Sequence, residues 1–422
     1  MTAENAPGSG GGTGLQRRLG VGDAVIIGLS SMLGAGIFAA LAPAARAGGA
    51  GLLIGLAVAG VVAYCNATSS ARLAALYPAS GGTYVYGRQR LGEFWGYLAG
   101  WGFVVGKTAS CAAMALTVGW YAWPAHAHVV AVAAVVVLTV VNYLGVRKSM
   151  WLSRSIVVAV LLVLAAVVAA VIGSRTGDLA HLSTFRGVSA GGVLQSAGLL
   201  FFAFAGYARI ATLGEEVRNP ARTIPRAIGI ALAITLLVYA AVAVAVLIAL
   251  GPNRLAVTAR PLVEAARATG FLWLLPFVAG GAVLAALGSL LSLLLGVSRT
   301  TLAMARDGNL PRRLDAIHPR FGVPHRAELA VGTVAAVLAV TVDLRGAIGF
   351  SSFAVLVYYA IANASAMTLR PDEGPPVKAV PVLGLLGCVV VAFALPLTSV
   401  IAGAGVLVLG ATLFWVRSRW RA

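Results

Sequence analysis

Charged residues are scarce in this chain, and acidic residues are the scarcest of them. Only 10% of the 422 residues are charged, with 13 Asp and Glu against 31 Lys and Arg. Soluble domains carry about 25% charged residues, so this composition excludes an ordinary soluble domain. The three cysteines are odd in number and lie in separate apolar runs, which argues against a disulfide framework.

Signatures of enzymes and of metal sites are also missing. The sequence contains neither a P-loop nor an HExxH motif. His126 and His128 are two positions apart, a spacing that does not place both side chains on one helical face. We therefore predict a protein that is not an enzyme and that has no metal site and no cofactor.

Long apolar runs make up most of the sequence. Hydrophobic residues account for 60% of the chain, and the mean hydropathy is +0.93. A helix that crosses a bilayer needs about 20 apolar residues, so we predict an all-α integral membrane protein with about 12 transmembrane helices. The predicted spans cover residues 24–44, 50–76, 93–121, 127–146, 153–173, 191–213, 226–250, 271–304, 328–343, 347–369, 379–396 and 398–416.

The net charge of +18 lies mostly in the short connectors between these spans. A nucleic-acid-binding protein would instead gather its basic residues on one face or helix, so no nucleic acid partner is predicted. Cytoplasmic loops of membrane proteins are enriched in Lys and Arg. We therefore predict a multi-pass plasma membrane protein with both termini in the cytoplasm and a disordered tail over residues 1–18.

Two of the predicted spans resemble each other. The stretch GLSSMLGAGIF starts at Gly28, and GLLFFAFAGYA starts at Gly198; an offset of 170 residues also aligns Gly36 with Gly206. Five spans separate the two starts, so the two copies enter the membrane from opposite sides. Glycine-interrupted spans at corresponding positions point to a transporter binding site. Tight helix packing through small residues is the alternative.

Four stretches of the chain resemble the amino acid–polyamine–organocation permeases. They are GLSSMLGAGIF, YPASGGTYVYGRQRLGEFWGYLAGW, FFAFAGYARIATLGEEVRNPARTIPRAI and SRTTLAMARDGNLP, in that order along the chain. The resemblance implies a five-plus-five inverted repeat of the leucine-transporter type, followed by two C-terminal helices. The implied units are residues 19–190 for the first repeat, 191–372 for the second, and 373–422 for the last two spans with a short tail.

The resemblance also implies that the first and sixth spans unwind around the substrate, near the middle of the membrane. Phe202 would act as an aromatic lid, and Gly106–Lys107 in the third span would border the same site. The implied substrate-binding residues are Ser31, Met32, Gly34, Ala35, Gly36, Phe202, Ala205 and Gly206.

Lys107 lies 14 residues after Glu93, about 21 Å along a helix and therefore near mid-membrane. A charge at that depth is costly and needs a role or a partner. We predict that Lys107 borders the substrate cavity or acts as a proton-sensitive cation; snorkelling to the interface is the alternative. Proton-coupled family members often carry a lysine in the fifth span, but Arg154–Val168 contains none, which puts that mechanism in doubt here.

Arg209 is the second predicted cation within the membrane. Many family members carry an acidic residue just before this position, where this chain has Ala208. A cavity with two cations and no acid repels cationic side chains, which favours neutral or acidic amino acids as substrates. Alternatively, Arg209 pairs with Glu216, about two helical turns further on.

The charged residues that follow the sixth span are interpreted as an inner gate. Glu215, Glu216 and Arg218 would close with Arg17, Arg18 or Arg72 and separate as the two halves rock. A solvated charge cluster at a helix end is the alternative.

These patterns predict a secondary active transporter that moves amino acids or related amines by alternating access. Its partners would be the substrate, the lipid bilayer and, for coupling, protons; symport, exchange and oligomeric state remain open. Ser289 and Ser292 in the eighth span resemble hydroxyls that bind sodium in relatives of this fold, so sodium coupling is a further alternative. Lone serines, however, commonly bond the backbone of their own helix. A cationic amino acid or polyamine exchanger and a non-transporting membrane sensor are the alternatives.

Overall fold

The described part of the chain is almost entirely helical. The computed structural model describes residues 19–77, 81–145, 150–174, 176–183, 187–211, 217–373 and 378–419. These ranges contain no β-strand, and an isolated parallel bridge pairs Leu19 with Val217. Ten described helical segments are long and apolar enough to cross a membrane, which confirms the predicted all-α membrane class.

The helices of the first half follow the predicted spans closely. They are α1 (Val21–Met32), α2 (Ala35–Ala39), α3 (Leu41–Gly48), α4 (Leu52–Leu76), α5 (Thr83–Leu91), α6 (Glu93–Ala122), α7 (Ala127–Tyr143) and α8 (Met150–Ser174). The predicted span 24–44 is thus divided among α1, α2 and α3, and α5 is a short helix in a predicted connector.

The second half begins with another divided span. Its helices are α9 (Ala190–Phe204), α10 (Ala208–Ala211), α11 (Pro220–Val257), α12 (Pro261–Ala268), α13 (Leu275–Arg306), α14 (His325–Thr341), α15 (Leu344–Met367), α16 (Ala379–Phe393) and α17 (Leu397–Arg419). Helix α16, with 15 residues, is the shortest helix at a predicted span that the structure keeps whole, followed by α7 and α14 with 17 residues each.

Local sequence explains where several of these helices begin. The hydroxyl of Ser189 accepts the backbone N–H of Gly192 at 3.0 Å and so caps α9. Ser189 is the central residue of GVSAG (residues 187–191), which has the Gly-x-Ser-x-Gly spacing of serine hydrolases, but in this structure its hydroxyl caps a helix. Pro220 occupies the first turn of α11, where its missing N–H costs no hydrogen bond. Gly82 and Gly92 flank α5 with φ of 57° and 101°, which favours glycine.

The packing of the helices agrees with two structurally equivalent halves of the chain. The order of the spans in each half relates α1 to α9–α10, α4 to α11, α6 to α13, α7 to α14 and α8 to α15, and the offset of 170 residues holds for the first two of these pairs. Accordingly, α1 packs against α11 where α9 packs against α4, and α6 packs against α15 where α13 packs against α8. The helices α16 and α17 lie against α15, outside this pattern. The inverted-repeat fold with two added helices is confirmed.

Candidate substrate site at the two interrupted spans

The first span is interrupted between α1 and α2. Helix α1 ends at Met32, and Leu33 and Gly34 leave the helical conformation, with Gly34 at φ −97° and ψ −144°. A Cβ on Gly34 would lie against the hydroxyl of Ser289 and 2.8 Å from its Cβ. Glycine is therefore the residue that lets α13 approach this break.

The sixth span is interrupted at the corresponding place. Helix α9 ends at Phe204, a 3-10 turn covers Ala205–Tyr207, and α10 follows. The offset of 170 residues carries Leu33–Gly34 onto positions 203–204, so the second break begins two residues later than its counterpart. The glycine motifs therefore predicted both interruptions to within a few residues.

The two interruptions lie against each other. A Cβ on Gly206 would come within 2.5 Å of the Ser31 carbonyl carbon, and a Cβ on Gly36 would come within 2.5 Å of the Ala203 Cα. Both neighbours are backbone atoms, which cannot move aside as a flexible side chain can. In this structure Gly36 and Gly206 make the close packing that was the alternative interpretation, and their contact with a substrate stays a prediction.

Tyr239 joins the ends of the two interrupted helices. It lies on α11 and is 1% exposed. Its hydroxyl donates to the carbonyl of Met32, the last residue of α1, and lies 3.1 Å from the carbonyl oxygen of Ala203 in the last turn of α9. Tyr239 could not be predicted as part of the site, because a single tyrosine in an apolar run does not reveal which carbonyls it contacts.

Lys107 reaches the 3-10 turn of the sixth span. It lies on α6, is 6% exposed, and its Nζ donates to the carbonyl oxygen of Ala205 at 3.2 Å. The side chain therefore bonds a buried carbonyl instead of extending to a membrane interface. Next to it, Gly106 lets α6 meet α15, since a Cβ there would lie 2.7 Å from the Cβ of Ala354.

The two serines of the eighth span have different partners. Ser289 donates to the carbonyl oxygen of Ser30 at 3.2 Å and so links α13 to α1. Ser292 donates to the carbonyl oxygen of Gly288, four residues earlier, at 3.0 Å. Among the described residues, no group of three His, Cys, Asp or Glu side chains could hold a metal ion.

The aromatic residues of the sixth span separate into two sets. Phe202 is buried on α9, next to the interruption, as expected of a residue close to the site. Phe201 and Tyr207 instead face Tyr359 on α15, with ring centroids 5.9 Å and 5.1 Å apart. These contacts attach the sixth span to the tenth.

We call the end of the bundle where α1 begins the amino-terminal face. There Asp23 on α1 pairs with Arg154 on α8 at 2.5 Å, and the N–H of Arg218 donates to the carbonyl oxygen of Leu19 at 2.9 Å. Arg218 itself is exposed. Of the other predicted gate residues, Glu215, Glu216, Arg17 and Arg18 lie outside the described residues.

Arg209 lies half-buried on α10 and is engaged by a neighbouring group. The proposed partner Glu216 lies outside the described residues. Arg72 on α4 is engaged as well. The cavity-facing and the paired interpretations of Arg209 therefore both stay predictions.

Helix α5 is attached to the ends of α13 and α15. Asp307 accepts hydrogen bonds from Arg88 at 2.7 Å and from the hydroxyl of Tyr84 at 2.5 Å. Arg90 pairs with Glu373 at 2.5 Å. Burial, with the carboxylate of Asp307 beside it, raises the pKa of Tyr84 to about 12, so the hydroxyl keeps its proton and donates throughout the physiological range.

Comparison with known proteins agrees with this geometry. The amino acid permease family matches residues 19–416. An uncharacterised transporter of Mycobacterium tuberculosis is 72% identical over 403 residues, covering 96% of this chain and 92% of that protein. The branched-chain amino acid permease of Bacillus subtilis is 26% identical over 439 residues, covering 96% and 94%. The vacuolar cationic amino acid transporter 4 of Arabidopsis thaliana is 29% identical over 393 residues, covering 86% and 65%.

The family match spans nearly every described residue and includes both interrupted helices. Its members are transporters and not enzymes, in agreement with the missing catalytic motifs. The chain belongs to the amino acid permease family of the amino acid–polyamine–organocation superfamily.

Proposed function

We propose that this protein is a secondary active transporter that moves amino acids across the plasma membrane by alternating access. The observation that carries the proposal is the meeting of two interrupted spans, with helix-end carbonyls of both spans gathered at one place in the interior. Irregular backbone at membrane depth is tolerated where protein buries it or where it lines a cavity. In transporters, such half-helix ends bind the charged groups of the substrate.

The two charged groups of an amino acid suit the two kinds of helix end. The ammonium group donates hydrogen bonds, so it suits the carbonyls of Met32 and Ala205. The carboxylate accepts them, so it suits the N–H groups that follow the first interruption, around Gly34–Gly36. Ser31, Ala35, Phe202 and Gly206 complete the proposed binding site.

The charge of the site favours neutral or acidic amino acids. The ammonium group of Lys107 lies on the turn of the sixth span, and Arg209 follows on α10. Within the described residues of α1, α2, α9 and α10, the single acidic side chain is Asp23, at the outer end of α1 and paired with Arg154. A cationic side chain would therefore meet like charge without a compensating acid.

The names of the relatives indicate substrates of different charge. The branched-chain permease of Bacillus subtilis agrees with a neutral substrate, whereas the cationic transporter of Arabidopsis thaliana favours the cationic alternative. The buried ammonium group at Ala205 decides our preference. We further propose proton-coupled symport or exchange, an inner gate that includes Glu215, Glu216 and Arg218, cytoplasmic termini, and the repeat boundaries 19–190 and 191–372.

Uptake into proteoliposomes tests the proposal. Purified protein would be reconstituted and supplied with labelled leucine, glutamate or arginine, with and without an inward proton gradient, against protein-free liposomes. We expect leucine or glutamate uptake to exceed arginine uptake. Preferential arginine uptake would favour the cationic exchanger, and no uptake or binding of any amino acid or amine would contradict a transport function.

A further inference from the structure

We propose that Lys107 and Tyr239 are resident donors, which take the place of the substrate's ammonium group in the empty carrier. Because they satisfy the freed carbonyls without a substrate, the empty carrier can change its orientation, and the protein performs net uptake in addition to exchange. This inference rests on the proposed transport function and names two positioning residues for it.

Three backbone carbonyls at the two interruptions need hydrogen-bond donors. Met32 is the last residue of α1, Ala203 lies in the last turn of α9, and Ala205 opens the 3-10 turn. The last four carbonyls of a helix have no intrahelical partner and need a donor from a side chain, water or a ligand. In a membrane interior, a carbonyl without any donor is strongly unfavourable.

The donors to these carbonyls come from helices outside the interrupted spans. Lys107 and Tyr239 belong to α6 and α11, not to the interrupted spans, and both are almost completely buried. The Lys107 ammonium group bonds the Ala205 carbonyl at 3.2 Å. It is chemically the same group that an amino acid would bring to this turn.

The Tyr239 hydroxyl has one proton for two neighbouring carbonyls. A tyrosine hydroxyl has one proton to donate, yet the Tyr239 oxygen lies within hydrogen-bond distance of both the Met32 and the Ala203 carbonyls. At any moment this hydroxyl satisfies only one of them. An ammonium group has three donors, so an arriving substrate can replace the two resident bonds and also bond the carbonyl that Tyr239 leaves without a proton.

Resident donors determine whether the protein can perform net uptake or exchange alone. If the freed carbonyls could be satisfied only by substrate, the empty carrier would be trapped and the protein would exchange one amino acid for another. With resident donors, the carrier can release its substrate and return empty. Removing a donor should therefore slow the empty return more than the loaded crossing.

The test compares net uptake with exchange in proteoliposomes. Lys107→Met and Tyr239→Phe would be measured with labelled leucine and glutamate, once into empty vesicles and once into vesicles preloaded with the same unlabelled amino acid. We expect the ratio of exchange to net uptake to rise about 10-fold, which corresponds to about 1.4 kcal/mol. Lys107→Arg keeps donors at this position and should retain more net uptake than Lys107→Met.

Tyr121→Phe is the matched control. The Tyr121 hydroxyl is also buried and donates to a carbonyl of the first span, that of Phe38, at 2.9 Å, but Phe38 lies four residues beyond Gly34, in the last turn of α2. Its ratio of exchange to net uptake should stay at the wild-type value.

The outcomes separate the two proposals. A parallel fall of both modes in Lys107→Met and Tyr239→Phe would make these residues structural caps and overturn the resident-donor proposal alone. Exchange without net uptake by the unchanged protein would overturn it as well. Absence of both modes in the unchanged protein would overturn the proposed transport function together with it.

If a variant does not reconstitute, melting in detergent replaces the transport assay. If Tyr239 is a resident donor, the substrate should raise the melting temperature of Tyr239→Phe more than that of the wild type. In the variant, the substrate satisfies a carbonyl that the Tyr239 hydroxyl already bonds in the wild type. An equal substrate-induced shift in both proteins would overturn the proposal.

Discussion

Gly206 and Gly36 stand where the backbone of the other interrupted span leaves no space for a Cβ. The nearest groups are the Ser31 carbonyl, whose carbon lies 2.5 Å from the place of a Cβ on Gly206, and the Ala203 Cα, 2.5 Å from the place of a Cβ on Gly36. A contact this short requires one span to move away from the other. These two glycines therefore set how closely the interrupted spans approach, and hence where their free carbonyls lie.

Gly206→Ala is expected to separate the two spans. Overpacking of an interior costs about 1–3 kcal/mol, and here no side chain can relax, so we expect transport to fall at least ~10-fold and the melting temperature to drop by several degrees. Gly173→Ala is the control, because a Cβ at that position in α8 meets nothing within 4 Å and alanine favours a helix. Equal transport and melting in both variants would contradict the packing argument.

Lys107 is the buried amine that contacts the site, and a lysine amine gains or loses a proton as the pH changes. We expect the uptake of the wild type to depend on pH and Lys107→Met to lose most of that dependence. Lys107→Arg stays charged at every accessible pH, so it should also show a flat profile while keeping its donors. An unchanged pH profile in Lys107→Met would remove this residue from proton coupling.

Some residues of the site could be predicted from the sequence and others could not. A lysine inside an apolar run is visible because its charge is costly at that depth, and paired glycines are visible because they repeat. Tyr239 and the link from Ser289 to Ser30 are different. Their partners lie 207 and 259 residues away along the chain, so only the packing of α11 and α13 against the first span reveals them.

At the scale of elements, α5 follows α4 in the chain but is attached to α13 and α15. Its ion pairs join Arg88 to Asp307 and Arg90 to Glu373, and the backbone N–H of Thr83 donates to the hydroxyl of Tyr358 on α15 at 3.0 Å. The pairing with Arg90 holds the pKa of the Glu373 carboxyl below its usual value. This contact therefore stabilises the attachment at neutral pH and is lost only as the pH falls through that lowered pKa.

Asp307→Asn tests whether this attachment holds α5 in place. Asp307 is 35% exposed, so we discount its ion pair to about 1 kcal/mol. Amide hydrogen exchange of residues 83–91 should then become ~5-fold faster. Residues 261–268 of α12 serve as the internal reference, since the carboxylate of Asp307 accepts hydrogen bonds from side chains of α5. Unchanged exchange over α5 would mean that its packing on α6 suffices.

The prediction of elements from sequence was wrong at α5. The stretch YGRQRL has a polar pattern without a long apolar run and therefore predicts a connector, whereas the structure has a helix there, whose arginines pair with distant residues. The end of the seventh span was predicted correctly. Gly251 is non-helical, with φ of 68° and ψ of 165°, and divides α11 into two helical parts. The predicted end at residue 250 therefore coincides with this break, where a Gly-Pro pair favours the end of a helix.

At the scale of the whole molecule, the repeat explains which helices meet. Once α1 is equivalent to α9–α10 and α4 to α11, the packing of α1 on α11 implies the packing of α9 on α4. The repeat therefore accounts for much of the helix packing. It does not account for the ion pair at the amino-terminal face, because the offset of 170 residues relates Asp23 to the uncharged Val193.

The Asp23–Arg154 pair connects α1, one of the helices that we propose to move, with α8. Any opening of the amino-terminal face between these helices must break it. The pair is partly exposed, with 57% of the Arg154 side chain accessible, so it contributes only about 0.2–1 kcal/mol. That is enough to change a two-state population ~1.5- to 5-fold.

We therefore expect Arg154→Gln to shift the protein towards a state that is open at the amino-terminal face. Spin labels at Gly22→Cys and Trp151→Cys, in a chain whose three native cysteines are serine, would report the distance between α1 and α8 by pulsed electron resonance. The long-distance population should increase ~1.5- to 5-fold. Arg267→Gln is the control, because it removes an ion pair of similar exposure within α12, to Glu264 at 3.0 Å. If both substitutions leave the distance distribution unchanged, the pair does not hold this face closed; an equal shift in both would assign the effect to net charge.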